Sequence, residues 1–267
     1  MINLNEFTEF NVINNVVSGG AGFLGSHLID KLLKNGQNVL CLDNLSSGYS
    51  GNITHLKKNK KFLFINHDIL EPLDSTILIE KIWHLASPAS PYHYQNDPIR
   101  TTRVNYEGTF NLLNLAKSHN SKMLFASTSE VYGETTNYLQ EEDMPVKLST
   151  FSPRACYSEG KRIAETLINS YREKYNLEIR IARIFNTYGP RLNINDGRVI
   201  SNFIKQCLTG DKLTIYGDGR QTRSFCYVSD LIEGLLVLME SNYNYPINIG
   251  NEEEISIIKL ADLIKNI

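Results

Sequence analysis

The feature that most constrains the fold is a glycine-rich loop, residues 18–25, between a β-type run and an amphipathic helix pattern. Its glycines follow the spacing Gly19-x-x-Gly22-x-x-Gly25, which differs from the commoner G-x-G-x-x-G. Valine and isoleucine make up most of residues 12–17 before the loop, and leucines at helical spacing follow it. Such glycines allow a tight turn and let a pyrophosphate approach the N-terminus of a helix. The glycines alone are also compatible with a simple turn.

A second β-type run, residues 38–42, ends on Asp43, which lies 18 residues past Gly25. An acid at this distance accepts the ribose hydroxyls of NAD and repels the extra phosphate of NADP. A strand, a glycine loop, a helix, a second strand and an acid in this order form the dinucleotide-binding arrangement. This combination predicts a Rossmann-type unit that binds NAD.

Strand and helix patterns alternate along the first part of the chain. Further β-type runs lie at residues 62–68, 81–86, 122–127 and 178–184, separated by amphipathic stretches. The alternation predicts an α/β fold with a Rossmann-type doubly wound parallel sheet. Asp68 ends one of these runs and is interpreted either as a contact to the adenine edge or as part of a turn. His84 is interpreted as a core or turn histidine rather than an acid–base group.

The alternation breaks down after residue 185. We expect residues 1–185 to form the NAD-binding domain, and residues 186–267 to form a smaller substrate-binding domain that is partly interleaved with the first. The elements expected in the second part are a helix near residues 199–208, a strand at residues 213–216, a strand and helix within residues 225–239, and a helical pattern over residues 257–267.

Tyr157 and Lys161 lie four residues apart near the start of a helix pattern that opens at Pro153. That spacing places them on one helix face, about one turn apart. A phenol is a poor base at neutral pH, and a neighbouring ammonium favours its ionised form. The pair is therefore a candidate for acid–base work, although the same spacing is common on solvated helix faces.

Compact polar side chains follow the strand predicted at residues 122–127. Thr128, Ser129 and Glu130 come directly after it, and the carboxyl end of a strand is where ligands bind in open α/β sheets. Helix capping by a serine or threonine is the alternative interpretation. Four arginines are grouped around later loops, where they suit a substrate with phosphates or a carboxylate or else are solvated: Arg191, Arg198, Arg220 and Arg223.

Composition narrows the partners and the compartment. A net charge of −2 and a pI near 6.3 give no reason to expect a nucleic acid partner. The four cysteines are scattered, which argues against a metal site and suits free thiols in a reducing compartment. We find neither a signal-peptide pattern in residues 1–15 nor an apolar run of about 20 residues. We therefore expect a soluble, cytoplasmic protein with no metal and no membrane partner.

Five longer stretches carry a resemblance to a known family: residues 84–91, 126–133, 153–162, 183–191 and 195–203. Together with the glycine loop and Tyr157-x-x-x-Lys161, they resemble the UDP-glucuronate decarboxylases (UDP-xylose synthases) of the extended short-chain dehydrogenase/reductase superfamily. The glycine loop and the Tyr–Lys pair identify only the superfamily. The Ser-Pro-Ala-Ser-Pro run at residues 87–91 and the Pro-Arg-Ala-Cys-Tyr run at residues 153–157 are much more specific.

The resemblance implies a reaction in which NAD is recycled within one turnover. NAD would take a hydride from C4 of UDP-glucuronate while Tyr157 removes the C4 hydroxyl proton. Lys161 would lower the pKa of the tyrosine and bind the nicotinamide ribose. The 4-keto sugar would lose carbon dioxide as a β-keto acid and then regain the hydride, which gives UDP-xylose. Thr128 would hold the C4 oxygen, and Ser129 with Glu130 would handle protons near C5.

The resemblance also implies the remaining site residues, among which Arg223 would meet the substrate carboxylate or protonate the enolate. The implied catalytic residues are Tyr157, Lys161, Thr128, Ser129, Glu130 and Arg223. The implied cofactor-binding residues are Gly19, Gly22, Phe23, Leu24, Gly25, Asp43, Asn44, Ser47, Gly48, Asp68, Ile69, Leu85, Ser87, Tyr157 and Lys161. The implied substrate-binding residues are Arg103, Asn105, Asn186, Arg191, Arg198, Tyr216 and Arg223.

Assembly and length are two further expectations from the resemblance. The helix patterns at residues 101–117 and 158–175 are amphipathic and match those through which the superfamily commonly forms a homodimer, as a four-helix bundle. Members of the family continue for several dozen residues beyond the position of Ile267, so we expect the second domain to be C-terminally short.

Related activities remain as alternatives. A nucleotide-sugar 4,6-dehydratase typically carries Asp-Glu where this chain has Ser129-Glu130, and a serine cannot act as the acid on the leaving hydroxyl. A 4-epimerase needs no counterpart of Glu130. An oxidative decarboxylase that releases the 4-keto pentose with NADH is poorly separated by sequence. A catalytically idle NAD-binding scaffold is opposed by the intact Tyr157, Lys161, Thr128 and Glu130.

Overall fold

The computed structural model describes residues 2–4, 10–133 and 139–266. The strands are β1 (Ile2–Asn3), β2 (Val12–Ser18), β3 (Val39–Asp43), β4 (Phe62–Asn66), β5 (Leu73–Asp74), β6 (Leu78–His84), β7 (Lys122–Thr128), β8 (Ile179–Ile184), β9 (Thr187–Tyr188), β10 (Thr222–Ser224), β11 (Cys226–Tyr227), β12 (Pro246–Ile249) and β13 (Glu254–Ser256). The α-helices are α1 (Phe23–Lys34), α2 (Pro91–Asn96), α3 (Pro98–Arg103), α4 (Thr109–His119), α5 (Ala155–Tyr175), α6 (Val199–Thr209), α7 (Val228–Glu240) and α8 (Ile257–Lys265).

Seven strands form one parallel sheet within the described residues, in the order β12-β8-β7-β6-β2-β3-β4. The chain runs from β2 to β3 and β4 on one side, and then crosses back to β6, β7 and β8 on the other. The strand order reverses between β2 and β6, which opens a crevice at the carboxyl end of β2. The doubly wound parallel sheet predicted from the alternating pattern is confirmed.

Helices cover both faces of this sheet, because successive strand side chains point to opposite faces. Val16 in β2 and Leu40 in β3 belong to the apolar cluster that packs against α4 and α5. Val17 and Cys41, their immediate neighbours in sequence, belong to the cluster that packs against α1 and α7. The central strands are therefore buried on both sides, and their carboxyl ends are held in fixed positions.

The helix pattern noted at residues 101–117 is divided among α3, a π-helical turn (Val104–Gly108) and α4. Asp97 caps α3, since its side chain accepts from the N–H of Arg100 at 2.9 Å. In the π-helical turn, Thr109 Oγ1 donates to the carbonyl oxygen of Asn105 at 2.5 Å. A π-helical turn holds one more residue than an α-helical turn, which changes the side chains that point inward. Such turns are often found at functional sites.

Residues after 185 contribute to the main sheet and also form a smaller unit beside it. α7 packs on the sheet and β12 pairs with β8, with Ile247 opposite Ala182. Beside the sheet, α6 and α8 form a third apolar cluster, next to the antiparallel pair β10–β13 and the parallel pair β9–β11. None of the helices in the described part of the chain is both long and apolar enough to cross a membrane.

The expected strand at residues 213–216 is wrong, because this segment has no regular secondary structure. The N–H of Thr214 donates to Gln206 Oε1 at 3.1 Å, and Gln206 Nε2 donates to Thr214 Oγ1 at 2.9 Å. The Gln206 side chain of α6 thus takes the hydrogen bond of the Thr214 N–H that a neighbouring strand would otherwise accept. Leu213 and Ile215 still pack on the cluster between α6 and α8.

Candidate active site

A cavity of about 1210 Å³ lies over the carboxyl ends of the central strands. It extends from the glycine loop after β2, past the ends of β3, β6 and β7, to loops that follow β8. This is the position in which open α/β sheets bind their ligands. All fifteen residues implied as cofactor-binding line this cavity, as do all six implied as catalytic.

The glycine loop can bring an anionic group onto the N-terminus of α1. Gly19 has φ +76°, and a side chain there would lie 2.7 Å from the backbone nitrogen of Ala86. A side chain at Gly25 would collide with the carbonyl oxygen of Gly19. Gly22 is the N-cap residue of α1, and no described side chain caps this helix. Its first N–H groups are therefore available to a phosphate.

Asp43 is held at the end of β3 by two backbone hydrogen bonds. Its carboxylate oxygens accept from the N–H of Ala21 at 2.9 Å and from the N–H of Leu45 at 2.8 Å. Burial raises the pKa of this carboxyl, and the two hydrogen bonds oppose the rise. A carboxylate offers about four acceptor positions, so two remain for ribose hydroxyls. A side chain at Gly48 would lie 2.8 Å from the Asp43 carboxylate, which keeps this part of the cavity open.

Asp68 lies in a turn at the cavity, and its contact to the adenine edge stays a prediction. It lines the cavity, and its Oδ1 also accepts from the N–H of Leu70 at 3.1 Å in the turn after β4. Its other oxygen pairs with Arg100. Although burial opposes the effect, these hydrogen bonds and the Arg100 charge hold the pKa of Asp68 below its ordinary value.

Tyr157 and Lys161 are buried at the cavity, with exposed fractions of 6% and 2%, so the solvated-face alternative is wrong. Lys161 Nζ donates to the carbonyl oxygen of Ala126 at 2.8 Å and lies 4.6 Å from the centroid of the Phe125 ring. Burial lowers the pKa of Lys161 to about 7, and the carboxylate of Glu165 opposes that shift. The lysine is therefore a titratable group close to neutral pH.

The phenol of Tyr157 lies in an environment that favours its neutral form. Burial raises its pKa, and the negative charge of Glu130 adds to the rise. A side-chain hydrogen bond with Thr128 and the charge of Arg198 oppose it. Lys161 Nζ is 5.9 Å from the centroid of the Tyr157 ring. The expected lowering of the phenol pKa by Lys161 stays a prediction for the ligand-bound protein.

The turn that follows β7 presents Thr128, Ser129 and Glu130 to the cavity. Thr128 Oγ1 accepts from the N–H of Glu130 at 3.2 Å, so the capping interpretation is also correct. Burial raises the pKa of Glu130, and the charges of Arg154 and Arg198 oppose the rise. The nearest nitrogen of Arg154 lies 3.8 Å from Glu130. Glu130 is consequently a carboxyl that can exchange a proton closer to neutral pH than an exposed one.

Five of the seven implied substrate-binding residues line the cavity: Asn186, Arg191, Arg198, Tyr216 and Arg223. Arg198 pairs with Asp196, and Arg191 Nη2 donates to Asp30 in α1 at 2.6 Å. Arg220, which the sequence left open, is a surface residue with 86% of its side chain exposed. The arginines of the cavity give its outer part a positive character that suits phosphates.

Arg103 and Asn105 lie outside the lining of the cavity, and their implied contact with the substrate stays a prediction. Arg103 lies on the exposed side of α3, where its guanidinium donates to both carboxylate oxygens of Glu107 at 2.9 and 2.8 Å. Asn105 is buried in the π-helical turn, and its Oδ1 accepts from Ser87 Oγ at 2.9 Å. Asn105 therefore holds Ser87, a residue of the cavity wall, from behind.

Tyr94 is a residue of the site region that the sequence did not single out. It is fully buried in α2, its ring stacks on that of Tyr157, and its hydroxyl has no hydrogen-bond partner among the described residues. Burial raises its pKa to about 12. Ser90 caps α2, accepting from the N–H of His93. The sequence signal that could have found Tyr94 is Ser90-Pro91, a typical helix start. A helix that begins there places Tyr94 about one turn after its cap.

His84 is a core histidine, as expected. Its Nδ1 lies 3.1 Å from Ser18 Oγ and its Nε2 lies 3.0 Å from Thr109 Oγ1. Burial and the nearby Lys161 charge hold its pKa well below the ordinary value, so it is neutral. Across the described ranges, no group of three or more acidic, histidine or cysteine side chains is arranged to hold a metal ion.

A glycine loop at the switch point of a doubly wound parallel sheet, facing a buried Tyr–Lys pair, defines a Rossmann-type protein of the short-chain dehydrogenase/reductase kind. The comparisons narrow this class. The chain belongs to the NAD dependent epimerase/dehydratase family, whose model matches residues 15–250.

The chain is similar to individual proteins whose names specify a nucleotide sugar. UDP-glucuronic acid decarboxylase 1 of Xenopus tropicalis is 50% identical over 252 residues, which cover 94% of this chain and 59% of that protein. UDP-glucuronic acid decarboxylase 3 of Arabidopsis thaliana is 49% identical over 253 residues, 94% of this chain and 73% of that one. The chain thus spans about three fifths of the frog relative's length and nearly three quarters of the plant relative's.

A solved structure of similar fold is UDP-glucuronic acid 4-epimerase from Bacillus cereus in complex with UDP-glucuronic acid and NAD. It is 34% identical, has a TM-score of 0.82, and the match covers 95% of this chain and 82% of that one.

Proposed function

We propose that this chain catalyses the NAD-dependent decarboxylation of UDP-glucuronate to UDP-xylose through a UDP-4-keto intermediate. The observation that carries the proposal is that one cavity joins the glycine loop to a buried Tyr157, with Thr128 and Glu130 at the same strand end. The names of the decarboxylase relatives support this choice of substrate and reaction.

NAD is the cofactor that the residues of the cavity fit. The N-terminus of α1 accepts the pyrophosphate, the two unused acceptor positions of Asp43 accept the ribose hydroxyls, and the Asp68 side of the cavity accepts the adenine. When bound, NAD supplies a hydride acceptor and donor and the positive charge of its oxidised nicotinamide ring. That charge favours the ionised form of Tyr157, whose pKa burial otherwise raises.

The first half of the reaction is assigned to Tyr157 with Thr128. Tyr157 accepts the proton of the C4 hydroxyl as the C4 hydrogen leaves as hydride, and Thr128 donates a hydrogen bond to the same oxygen. Lys161, buried one helical turn further along α5, binds the nicotinamide ribose and contributes positive charge near the phenol. The product of this half is a sugar with a ketone at C4.

The second half of the reaction begins with this ketone, which makes the sugar a β-keto acid. Loss of carbon dioxide leaves its electron pair on the C4 oxygen as an enolate, where the Thr128 hydroxyl and the Tyr157 phenol donate hydrogen bonds. Glu130, with Ser129, delivers a proton toward C5, for which a buried carboxyl of raised pKa is suited. Bound NADH would supply the hydride to C4, and Tyr157 would return its proton to the C4 oxygen, which would give UDP-xylose.

The outer part of the cavity is assigned to the uridine diphosphate. Arg191 and Arg198 provide the charge for the two phosphates, and Asn186 and Tyr216 lie beside them. Arg223, in the middle of β10 and opposite Ile255 of β13, is the group assigned to the substrate carboxylate or enolate. Each of these assignments is implied by the family resemblance and is supported by a placement at the cavity wall.

The 4-epimerase activity is the second candidate, because the B. cereus epimerase shares the fold and is in complex with UDP-glucuronic acid. An epimerase has no step that uses a carboxyl near C5, and Glu130 then has no function. A 4,6-dehydratase is disfavoured because Ser129 stands where an aspartic acid is needed. The oxidative decarboxylase, which releases NADH and the 4-keto pentose, is poorly separated by sequence and is distinguished by its products.

Domain division, assembly and location complete the proposal. We propose an NAD-binding domain of residues 1–185 and a substrate-binding domain of residues 186–267, with α7 and β12 contributing to the main sheet. A homodimer formed through the helices at residues 101–117 and 158–175 is supported by half-exposed apolar side chains there, Tyr106, Phe110 and Ile163. A cytoplasmic location is supported by four free cysteines.

The experiment that tests the proposed function is incubation of the full chain with NAD and one nucleotide sugar at a time, followed by proton NMR of the sugar. Conversion of UDP-glucuronate to UDP-xylose is the expected result. Conversion to UDP-galacturonate supports the 4-epimerase instead. If UDP-glucuronate is untouched and a UDP- or dTDP-glucose is dehydrated, the proposed function is wrong.

A further inference from the structure

We propose that Glu165 is a positioning residue of this active site, which holds the strand end that carries Thr128 and places a paired carboxylate on the helix face of Lys161. The inference rests on the proposed function, because it assigns Glu165 to the site of that reaction. No step of the reaction given above uses Glu165.

Glu165 follows Tyr157 and Lys161 on one face of α5. The three residues are spaced by four, so their side chains project in the same direction. That face packs on β7 and β8, and only 13% of the Glu165 side chain is exposed. A carboxylate in such a position must be fully paired to be tolerated. Its partners therefore show what it does.

The first partner of Glu165 is the strand end that precedes the catalytic turn. Glu165 Oε1 accepts from Ser127 Oγ at 2.5 Å. The neighbouring residue in β7, Ala126, accepts from Lys161 Nζ at 2.8 Å. Two successive side chains of the α5 face thus bind two successive residues of β7, and the next residue is Thr128. Loss of either contact frees the strand end at the point where the sugar oxygen is bound.

The second partner of Glu165 is Arg183, which lies opposite Ser127 in the β7–β8 register. Its Nε donates to Glu165 Oε1 at 3.1 Å and its Nη2 to Glu165 Oε2 at 2.8 Å, and 12% of the arginine side chain is exposed. Arg183 Nη1 also donates to Tyr132 Oη at 3.0 Å. Tyr132 ends the turn that contains Ser129 and Glu130. The ion pair consequently fixes both ends of residues 127–132.

The charge of Glu165 also acts on Lys161. On α5, the titratable neighbours of Lys161 are Tyr157 and Glu165, and β6 adds His84, which is neutral. Arg183 of β8 pairs with Glu165. β7 adds the Ala126 carbonyl and the Phe125 ring. Burial lowers the pKa of Lys161 to about 7, and Glu165 is the carboxylate that opposes this. Without that carboxylate, Lys161 loses its proton at a lower pH.

An unfolding experiment on the cofactor-free chain tests the coupling without using activity. Wild type, Glu165→Gln, Lys161→Met and the double variant are unfolded across a pH series. Below about pH 7 the Lys161 ammonium is charged in the folded state, and loss of Glu165 makes that charge more costly. The stability cost of Glu165→Gln should therefore be full at acidic pH and shrink as pH rises through about 7, where Lys161 loses its proton in the folded state. In the Lys161→Met background the same substitution should cost the same at every pH.

The proposal is overturned if the stability cost of Glu165→Gln varies with pH in the same way in the wild-type and Lys161→Met backgrounds. It is also overturned if that cost does not vary with pH in either background. The wild type reports on the proposed function separately. If it fails to convert UDP-glucuronate, the proposed function falls while the unfolding series still decides the coupling between Glu165 and Lys161.

A pH profile of turnover distinguishes positioning from a merely structural role. For Glu165→Gln we expect kcat to fall about tenfold near pH 8 with KM little changed, and the alkaline limb to move to lower pH. Glu165→Asp keeps the charge and should keep the alkaline limb of the wild type. Glu173→Gln, an exposed glutamate on the same helix, is the matched control and should behave as wild type. Equal losses for Gln and Asp at every pH overturn the proposal.

Discussion

The ring of Tyr94 stacks on the ring of Tyr157, with centroids 5.1 Å apart and planes inclined by 5°. Tyr94 lies in α2 after the proline-rich loop, and Tyr157 lies in the first turn of α5. The stack joins two segments that are distant in sequence and restricts the phenol assigned to the acid–base step. Stacked aromatic pairs contribute roughly 0.5–1.5 kcal/mol beyond the area that they bury.

Tyr94→Phe is expected to stabilise the protein. The substitution keeps the stack and removes a buried hydroxyl that has no partner among the described residues. Since such a hydroxyl costs roughly 1–3 kcal/mol, the free energy of unfolding should rise by about 1 kcal/mol. Urea unfolding of the cofactor-free chain measures this. Tyr94→Ala, which also loses the ring, should cost about 3–5 kcal/mol. A less stable Tyr94→Phe variant would mean that the hydroxyl is paired.

Tyr157→Phe should abolish turnover and leave NAD binding intact. The phenol oxygen is the proton acceptor in the proposed reaction, and loss of a general acid–base group costs roughly 10²–10⁴-fold in rate. The ring and its stack on Tyr94 are kept. NAD affinity by calorimetry should stay within about threefold of wild type. Tyr171→Phe, on the same helix with its hydroxyl bonded to Asn114, is the control. Unchanged activity of Tyr157→Phe would remove the phenol from the mechanism.

Glu130→Gln should raise stability at neutral pH while it lowers the rate. Burial raises the folded-state pKa of Glu130 above its ordinary 4.5. Such a group contributes stability that is fully present below about pH 4.5 and is lost as pH rises through the folded pKa. The neutral amide avoids that loss, so the variant should be more stable than wild type at pH 7 and should lose its advantage near pH 4.

Thermal unfolding between pH 4 and pH 8, with kcat measured at pH 7, tests the prediction for Glu130. Equal stability of wild type and variant across the range, together with an unchanged kcat, would show that Glu130 is neither a buried carboxylate nor a proton donor. Glu159→Gln is a suitable control on α5, since Glu159 is only partly buried and pairs with Arg162.

Asp43→Asn should weaken the binding of NAD and raise the affinity for NADP relative to that for NAD. The amide loses the charge that strengthens hydrogen bonds to ribose hydroxyls, for which we expect about a tenfold increase in the dissociation constant of NAD. The repulsion of a 2′-phosphate is removed as well. Fluorescence titration with both cofactors measures the ratio. Asp218→Asn, at a largely exposed position, should change neither. An NAD affinity equal to wild type in Asp43→Asn would contradict the assigned role.

Much of the fold and the cofactor side of the site could be predicted because the signals are local. The glycine loop, the strand before it and Asp43 lie within about 30 residues, and a parallel sheet must bring its carboxyl ends to one edge. The placement of Thr128 and Glu130 at that edge follows from the same rule. The buried state of Tyr157 and Lys161 required the rest of the βαβ pattern, since helical spacing alone does not select a face.

The rest depended on contacts that the sequence pattern does not encode. Within the π-helical turn at residues 104–108, Asn105 is buried behind Ser87 of the cavity wall, and Arg103 just before the turn pairs with Glu107. Gln206 satisfies the backbone of Thr214 from α6, so residues 213–216 form no strand. Glu165 contacts Ser127 and Arg183 from two other elements, and no spacing rule brings those three together.

The most direct test of the account follows the carboxyl carbon. UDP-glucuronate labelled with ¹³C at C6 is incubated with the full chain and NAD, and released ¹³CO₂, UDP-xylose and NADH absorbance are measured together. The account predicts one ¹³CO₂ for each UDP-xylose, with no net rise of NADH. Complete retention of the label in the sugar, or its release with one NADH and a 4-keto pentose for each carbon dioxide, would contradict it.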